Sequence, residues 1–255
     1  MIKLLIDAGN TLIKSAVVKK GKTVPGKQFR TSLLSEKKLR DILKNTHTCV
    51  CCSVVPKVTA LLKKICRSSG IKIYFLTYRD IALVKLKYAP LKDIGADRIA
   101  SIIGALIQRR PPFIIVDIGS AVTCELVDKK SNYRGGVIFP GIELSLKALN
   151  EGCALLPDTA FSRPRKGPGT NTGECIRKGV WAATLGGIEK TVSDFLKREP
   201  GAAVFLTGSG SRFLRPGDLS FRYKKDQALV FNGLLQFYKN LYNQNLIERD
   251  IPISK

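Results

Sequence analysis
Two stretches of this sequence carry residue types suited to holding phosphate. Leu4-Leu5-Ile6-Asp7-Ala8-Gly9-Asn10-Thr11 is an apolar run that ends in Asp-x-Gly and two polar residues, and Leu12-Ile13 resumes the apolar pattern. Phe113-Ile114-Ile115-Val116-Asp117-Ile118-Gly119-Ser120-Ala121-Val122-Thr123 repeats it. Asp7 aligns with Asp117, Gly9 with Gly119 and Asn10 with Ser120. Each copy reads as a strand, a tight turn and a return strand. A glycine after a strand lets the backbone turn with φ > 0 and brings N–H groups close to an anion. The amide and hydroxyl side chains that follow add donors. Two such turns facing each other suit the two ends of a nucleotide triphosphate tail. One copy alone is as easily a plain hairpin with Gly in its turn, but recurrence at matching positions in two halves favours the phosphate reading.

The elements that must position these turns follow from periodicity. The first half predicts a hairpin over 2–19, a third strand near 27–31, and a helix capped by Ser35 with Leu39, Ile42 and Leu43 on one stripe. A strand over 48–55 ends at Pro56, a helix over 57–68 stops at Gly70, and 71–76 is a short strand. Residues 77–94 read as a loop. A helix after Gly95 carries Ile99, Ile102, Ile103 and Leu106 to the break at Pro111-Pro112. The second half predicts a hairpin over 113–127, a strand near 136–139, a helix over 143–149, and a basic Pro/Gly-rich loop over 157–170. A long helix from Asn171-Thr172, a buried strand over 204–207 and a helix over 228–241 complete it. The expected fold is therefore α/β with duplicated βββαβα halves, mixed sheets and flanking helices. The expected domains are an N-terminal lobe, 1–112, and a C-terminal lobe, 113–255.

Composition narrows the function class. The 255 residues are 44% hydrophobic, enough for a real core, and no run of about 18 apolar residues is present to span a membrane. The first residues read as a strand rather than a signal peptide, so the expected compartment is the cytoplasm. The net charge of +23 raises the question of nucleic acid. The Lys and Arg residues are scattered, however, and no aromatics interleave with them as a stacking platform requires, so nucleic acid is disfavoured. The charge suits attraction of anionic substrates. Seven cysteines without a signal peptide argue for reduced thiols. Cys49-Val50-Cys51-Cys52 has no second pair at metal-ligand spacing and reads as part of an apolar strand.

Beyond the hairpins, the motifs taken together resemble those of the type III pantothenate kinases. Asp7-Ala8-Gly9-Asn10-Thr11 with Lys14 is similar to their first phosphate motif, and Asp117-x-Gly119-Ser120-Ala121-x-Thr123 to their second. Cys52-Ser53-Val54-Val55-Pro56 resembles a strand end of the family, Gly95-Ala96-Asp97-Arg98 its Gly-x-Asp-Arg signature, and Gly135-Gly136-Val137-Ile138-Phe139-Pro140-Gly141 its Gly-Gly-x-Ile-x-Pro-Gly segment. Asn171-Thr172, Thr207-Gly208 and Gly233-Leu234 follow in the family's order. Two positions depart from the pattern. Ser120 stands where Thr is usual, and Thr207-Gly208-Ser209-Gly210 stands where Thr-Gly-Gly-Asp is usual, which bears on base and ribose contacts.

The resemblance implies the two-lobed actin-like (ribonuclease H-like) fold and ATP-dependent phosphorylation of pantothenate, the first step of coenzyme A synthesis. It implies Mg²⁺ with the nucleotide, a monovalent cation (K⁺ or NH₄⁺), and a homodimer. It assigns ATP binding to Asp7, Ala8, Gly9, Asn10, Thr11, Leu12, Ile13, Lys14 and Ser120, and the monovalent cation to Asp117. Asp97 becomes the general base for the pantothenate hydroxyl. Tyr88, Gly95, Ala96, Asp97, Arg98 and Thr172 become pantothenate contacts, Thr172 reaching in from the partner subunit. Each assignment has a plainer counterpart: a helix N-terminal acid with a surface Arg at 97–98, a helix cap at Asn171 or Thr172, a packed loop aromatic at Tyr88. Alternatives of other classes are a catalytically weak family relative acting as a regulatory or accessory nucleotide-binding protein, a nucleic-acid-binding module, and a kinase for a different alcohol.

Overall fold
In the computed structural model, which describes residues 3–244, the first half of the chain runs β1 (Lys3–Ala8), β2 (Leu12–Lys19), β3 (Lys22–Arg30), α1 (Glu36–Leu43), β4 (Thr48–Ser53), α2 (Pro56–Ser68), β5 (Lys72–Phe75), β6 (Lys85–Leu86) and α3 (Ala96–Leu106). The second runs β7 (Phe113–Ile118), β8 (Ala121–Val127), β9 (Asn132–Pro140), α4 (Ile142–Gly152), α5 (Thr172–Arg198), β10 (Ala203–Thr207), β11 (Lys224–Lys225) and α6 (Leu229–Asn243). One sheet has the order β3-β2-β1-β4-β5 and the other β11-β10-β7-β8-β9-β6. Without the β6 edge strand the second is the first repeated, with β7 in the place of β1 and β10 in the place of β4. In both, the first three strands are antiparallel neighbours and the next two join in parallel. The internal repeat seen in sequence is thus a repeat of topology.

The chain forms two compact units. Unit 1 takes the residues up to Leu83, Tyr88–Arg110 and α6; unit 2 takes Val84–Lys87 and Pro111–Gln227. Two segments depart from the division at 112 expected from sequence. Residues 84–87 join unit 2 because β6 pairs with β9, and α6 joins unit 1 because it packs on α3. That packing is backbone against backbone. A Cβ at Gly233 would sit 1.8 Å from the Ala100 carbonyl oxygen, and one at Gly104 2.1 Å from that of Leu229, so both positions need glycine.

The central strands are buried on both faces, which explains their unbroken apolar runs. Leu4, Ile6 and Ala8 of β1 pack with Leu39, Leu62 and Ile65 of α1 and α2, whereas Leu5, on the other face, is equally buried. Ile114, Val116 and Ile118 of β7 pack with Ile188 and Val192 of α5. Asp7 and Asp117 therefore extend from the opposite face of their strands, the one shared with Leu5 and with Phe113 and Ile115. Ser35 caps α1 as expected, its hydroxyl accepting from the Lys38 N–H. Among the described residues no helix is long and apolar enough to cross a membrane.

Candidate active site
Unit 1 gathers Asp7, Lys14 and Asp97. Asp7 comes from the end of β1, and Lys14 is its cross-strand partner on β2. Asp97 lies in the first turn of α3, whose N-cap is Gly95. Lys14 Nζ stands 4.0 Å from Asp7 Oδ2, and the Asp7 side chain is only 15% exposed. Burial is the main cause that raises its proton affinity. Lys14 opposes this, Asp97 adds to it, and the result is a pKa pushed up to about 6. Asp97 Oδ1 accepts from the Arg98 N–H at 2.8 Å. Burial still raises its pKa above the ordinary carboxylate value, outweighing that backbone donor and the Arg98 and Lys14 charges. A carboxylate with raised proton affinity beside a lysine and a second carboxylate is suited to proton transfer and phosphate chemistry.

The loop between β1 and β2 is Gly9-Asn10-Thr11. The Gly9 N–H donates to the Leu12 carbonyl at 3.0 Å, and the carbonyls of Gly9 and Ala8 accept from the Thr31 hydroxyl at 2.7 Å and the Val54 N–H at 3.1 Å. Thr31 also donates its N–H to the Thr11 carbonyl at 2.9 Å, so the turn is braced from β3's end as well. Asn10 is exposed and Thr11 half-buried, and Leu12 and Ile13 open β2.

The second hairpin, in unit 2, is shorter. Gly119-Ser120 joins β7 to β8, so Thr11 has no counterpart. The Gly141 N–H donates to the Ser120 carbonyl at 2.9 Å, and a Cβ at Gly141 would lie 2.2 Å from the Gly119 carbonyl oxygen. The expectation that Gly9 and Gly119 adopt φ > 0 does not hold: neither is in the left-handed region. Gly9 relieves crowding instead, since a Cβ would lie 3.3 Å from the Leu12 oxygen, whereas at Gly119 a Cβ would come to 3.4 Å from the Ala121 oxygen, an ordinary contact. The left-handed glycine beside Asp117 is Gly208, with φ +85°, where a Cβ would lie 2.2 Å from Asp117 Oδ1. It directly follows Thr207, the in-register neighbour of Asp117 on β10.

Arg98 is not the surface residue of the plainer reading. It is 8% exposed, and its guanidinium lies over the Tyr88 ring at 5.4 Å from the centroid. The Asp97 carboxylate covers Gly95, where a Cβ would meet Oδ1 at 2.5 Å, and Ala96 opens α3. Gly95, Ala96, Asp97, Arg98 and Tyr88 thus form one patch of unit 1. Asn171 caps α5, its side chain accepting from the Glu174 N–H at 3.0 Å. That leaves Thr172, the first helical residue, exposed and unneeded as a cap.

Among the described residues no group of three or more His, Cys, Asp or Glu side chains could hold a metal ion. The donor set fits a Mg²⁺ that arrives on nucleotide phosphates and keeps its water, not one caged by side chains. Asp117, a half-buried carboxylate beside the tightly packed Gly208, offers an oxygen ligand of the kind a monovalent cation takes.

A twice-used sheet with an Asp-x-Gly hairpin at the head of each copy defines the class: an actin-like ATPase and sugar-kinase fold. Solved structures agree. The chain superposes on ADP-bound MreB5 of Spiroplasma citri with a TM-score of 0.55 at 11% identity, covering 97% of this chain and 99% of that one. It superposes on a Campylobacter jejuni protein assigned to the Baf family of transcriptional activators with a TM-score of 0.60 at 22% identity, covering 94% and 99%.

The family is set by sequence. The profile of the type III pantothenate kinases matches residues 3–194. The type III pantothenate kinase of Thermosipho africanus is 32% identical over 253 residues, covering 93% of this chain and 98% of that protein. That of Chlorobaculum parvum is 33% identical over 254 residues, covering 91% and 92%. This chain belongs to the type III pantothenate kinase family.

Sequence reasoning missed the bracing by Thr31, the clamp of Gly208 on Asp117, and the neighbour of Asp7 on β4, Cys52. The first joins residues 22 apart in sequence and depends on β3 pairing with β2. The other two likewise depend on which strands pair, and Cys52 was visible as part of an apolar cysteine cluster and of a strand end, with nothing to place it beside Asp7.

Proposed function
We propose that this protein transfers the γ-phosphoryl group of ATP to the primary hydroxyl of pantothenate, giving 4′-phosphopantothenate for coenzyme A synthesis. Family membership along nearly the whole chain supports the reaction, and the clustering of Asp7, Lys14 and Asp97 is the observation that carries the mechanism. Phosphoryl transfer needs positioning and charge neutralisation more than covalent chemistry. The segment Asp7 to Lys14 (with Ala8, Gly9, Asn10, Thr11, Leu12 and Ile13) takes the ATP phosphates: backbone N–H groups and the Asn10 and Thr11 side chains donate, and Lys14 supplies a point charge. Ser120 supplies the corresponding hydroxyl of the second hairpin for ATP. Mg²⁺ bound to the nucleotide neutralises phosphate charge.

Asp97 accepts the proton of the pantothenate hydroxyl as that oxygen attacks phosphorus. The raised proton affinity of its carboxylate suits it to the role. Arg98, its guanidinium over the Tyr88 ring, pairs with the pantothenate carboxylate as a fork. Gly95 and Ala96 bring the α3 N-terminus close to the substrate. Asp117 holds a monovalent cation, K⁺ or NH₄⁺. The protein acts as a cytoplasmic homodimer in which the exposed Thr172 reaches the pantothenate site of the partner subunit.

A coupled ADP-release assay with a panel of alcohols, with and without potassium, tests the reading. ADP release that requires pantothenate and rises with potassium is the expected result. Release without any alcohol preference, or none at all, sinks it.

A further inference from the structure
Asp7 has a neighbour for which the proposed reaction has no role. Cys52, near the end of β4, is the in-register partner of Asp7 across the parallel β1–β4 pair. Its side chain is fully buried, and its Sγ lies 3.7 Å from Asp7 Oδ1, within hydrogen-bond reach for sulfur. Cys49 and Cys51 belong to the apolar cluster on one face of β4; Cys52 lies on the other face, the one Asp7 shares. Asp7 Oδ2 is the oxygen nearer Lys14.

We propose that Cys52 is a positioning residue for Asp7: its neutral thiol donates to Oδ1, fixing the carboxylate so that Oδ2 stays with Lys14. Burial, and next the negative charge of Asp7, push the Cys52 thiol well above its ordinary range, so it keeps its proton and donates it to the ionised carboxylate. The duplicated fold supplies an independent parallel. Asp117, the counterpart of Asp7, has Thr207 as its in-register neighbour on β10, and Thr207 is 2% exposed. In each half, then, a small buried residue bearing an S–H or O–H group stands beside the strand-end aspartate on the adjacent parallel strand. An apolar residue would fill either place as well if packing alone were required.

The proposal rests on the reading of Asp7 as part of the phosphate-binding machinery, and two kinds of measurement separate the two ideas. In steady-state kinetics, Cys52→Ala lowers kcat about 3- to 10-fold, the loss appropriate to one hydrogen bond onto a carboxylate. KM for ATP and for pantothenate moves by less than about 2-fold, and Cys52→Ser, which keeps a donor, recovers most of kcat. Wild-type kcat in Cys52→Ala overturns the proposal, as does equal impairment of the Ala and Ser variants with a parallel fall in Tm, which marks a packing role.

The second measurement needs no turnover. The infrared difference between the unsubstituted protein and Cys52→Ser isolates the Cys52 S–H stretch. In an Asp7→Ala background that band moves to higher frequency as the acceptor is lost; an unmoved band overturns the contact. Should the unsubstituted protein show no pantothenate-dependent ADP release, the kinase reading fails, and the band still decides whether Cys52 donates to Asp7.

Discussion

The charge of Asp97 reaches Asp7, raising the proton affinity of a carboxylate that burial has already raised, while Lys14 pulls the other way. Two acids from a strand end and a helix start are thus coupled, with one lysine acting on both. Several measurable consequences come from that arrangement and from the residues around it.

Asp7 costs stability at neutral pH. Its ordinary pKa is 3.8, and in the folded chain it is about 6. Below pH 4 the group is protonated folded or unfolded, and its titration has no effect. Between about 4 and 6 the folded state holds the proton that the unfolded chain has lost, so stability falls as pH rises; above 6 the full cost applies. About two units correspond to about 3 kcal/mol as an upper value. Asp7→Asn is expected to gain about 1–3 kcal/mol at pH 8, with the gain gone near pH 4. Urea unfolding at the two pH values measures it, and a gain that is the same at both is incompatible with the titration.

Asp97→Asn removes the proposed base and a like charge at once. The expected loss in kcat is about 10²–10⁴, with ATP binding by calorimetry retained. The same change removes an influence that raises the Asp7 pKa, so the pH dependence of stability described above moves to lower pH. Near-wild-type turnover would take Asp97 out of the base role.

The sequence revealed the duplicated hairpins and the order of helices and strands because these rest on local apolar periodicity and turn chemistry. Asp7 was legible in the repeated hairpin, whereas Lys14 and Asp97 were legible through the resemblance of their motifs to the family's, since an acid in a helix's first turn beside an arginine has a plainer reading. The position of α6 was not, because its apolar face does not say which unit it covers; the contacts of Gly104 and Gly233 that decide it are long-range. The burial of Arg98 was hidden too. A basic residue beside a helix start reads as exposed until the Tyr88 ring, ten residues earlier, is found under its guanidinium. The conformation of Gly9 was misjudged since Asp-x-Gly spacing indicates a turn without fixing the backbone angles it uses.

Arg98 distinguishes a flat fork from a point charge. Its guanidinium is stacked over Tyr88 and largely shielded from water. Arg98→Lys keeps the charge but loses the guanidinium over the Tyr88 ring and the bidentate geometry. KM for pantothenate is expected to rise about 10- to 100-fold, about 1.4–2.8 kcal/mol, with KM for ATP little changed. Tyr88→Phe, which keeps the ring face, should move KM for pantothenate by less than about 3-fold if the ring acts through stacking. A larger effect of Tyr88→Phe than of Arg98→Lys would transfer the substrate contact to the Tyr88 hydroxyl.

Gly208 tests the cation role of Asp117 without replacing Asp117 itself. At φ +85° any L side chain is strained, and a Cβ would lie 2.2 Å from Asp117 Oδ1 and 2.6 Å from the Ile118 amide nitrogen and carbonyl oxygen. Gly208→Ala must therefore displace Asp117 or the end of β10, at a stability cost of about 1–3 kcal/mol. Because Asp117 is proposed to hold the monovalent cation, the potassium concentration for half-maximal activity should rise at least about 10-fold, about 1.4 kcal/mol. The raised requirement should persist at temperatures well below the variant's Tm. Asp117→Asn, which leaves the backbone alone, should raise it in the same direction. If Gly208→Ala lowers Tm while the potassium dependence of both variants matches that of the unsubstituted protein, the monovalent cation is not bound at Asp117.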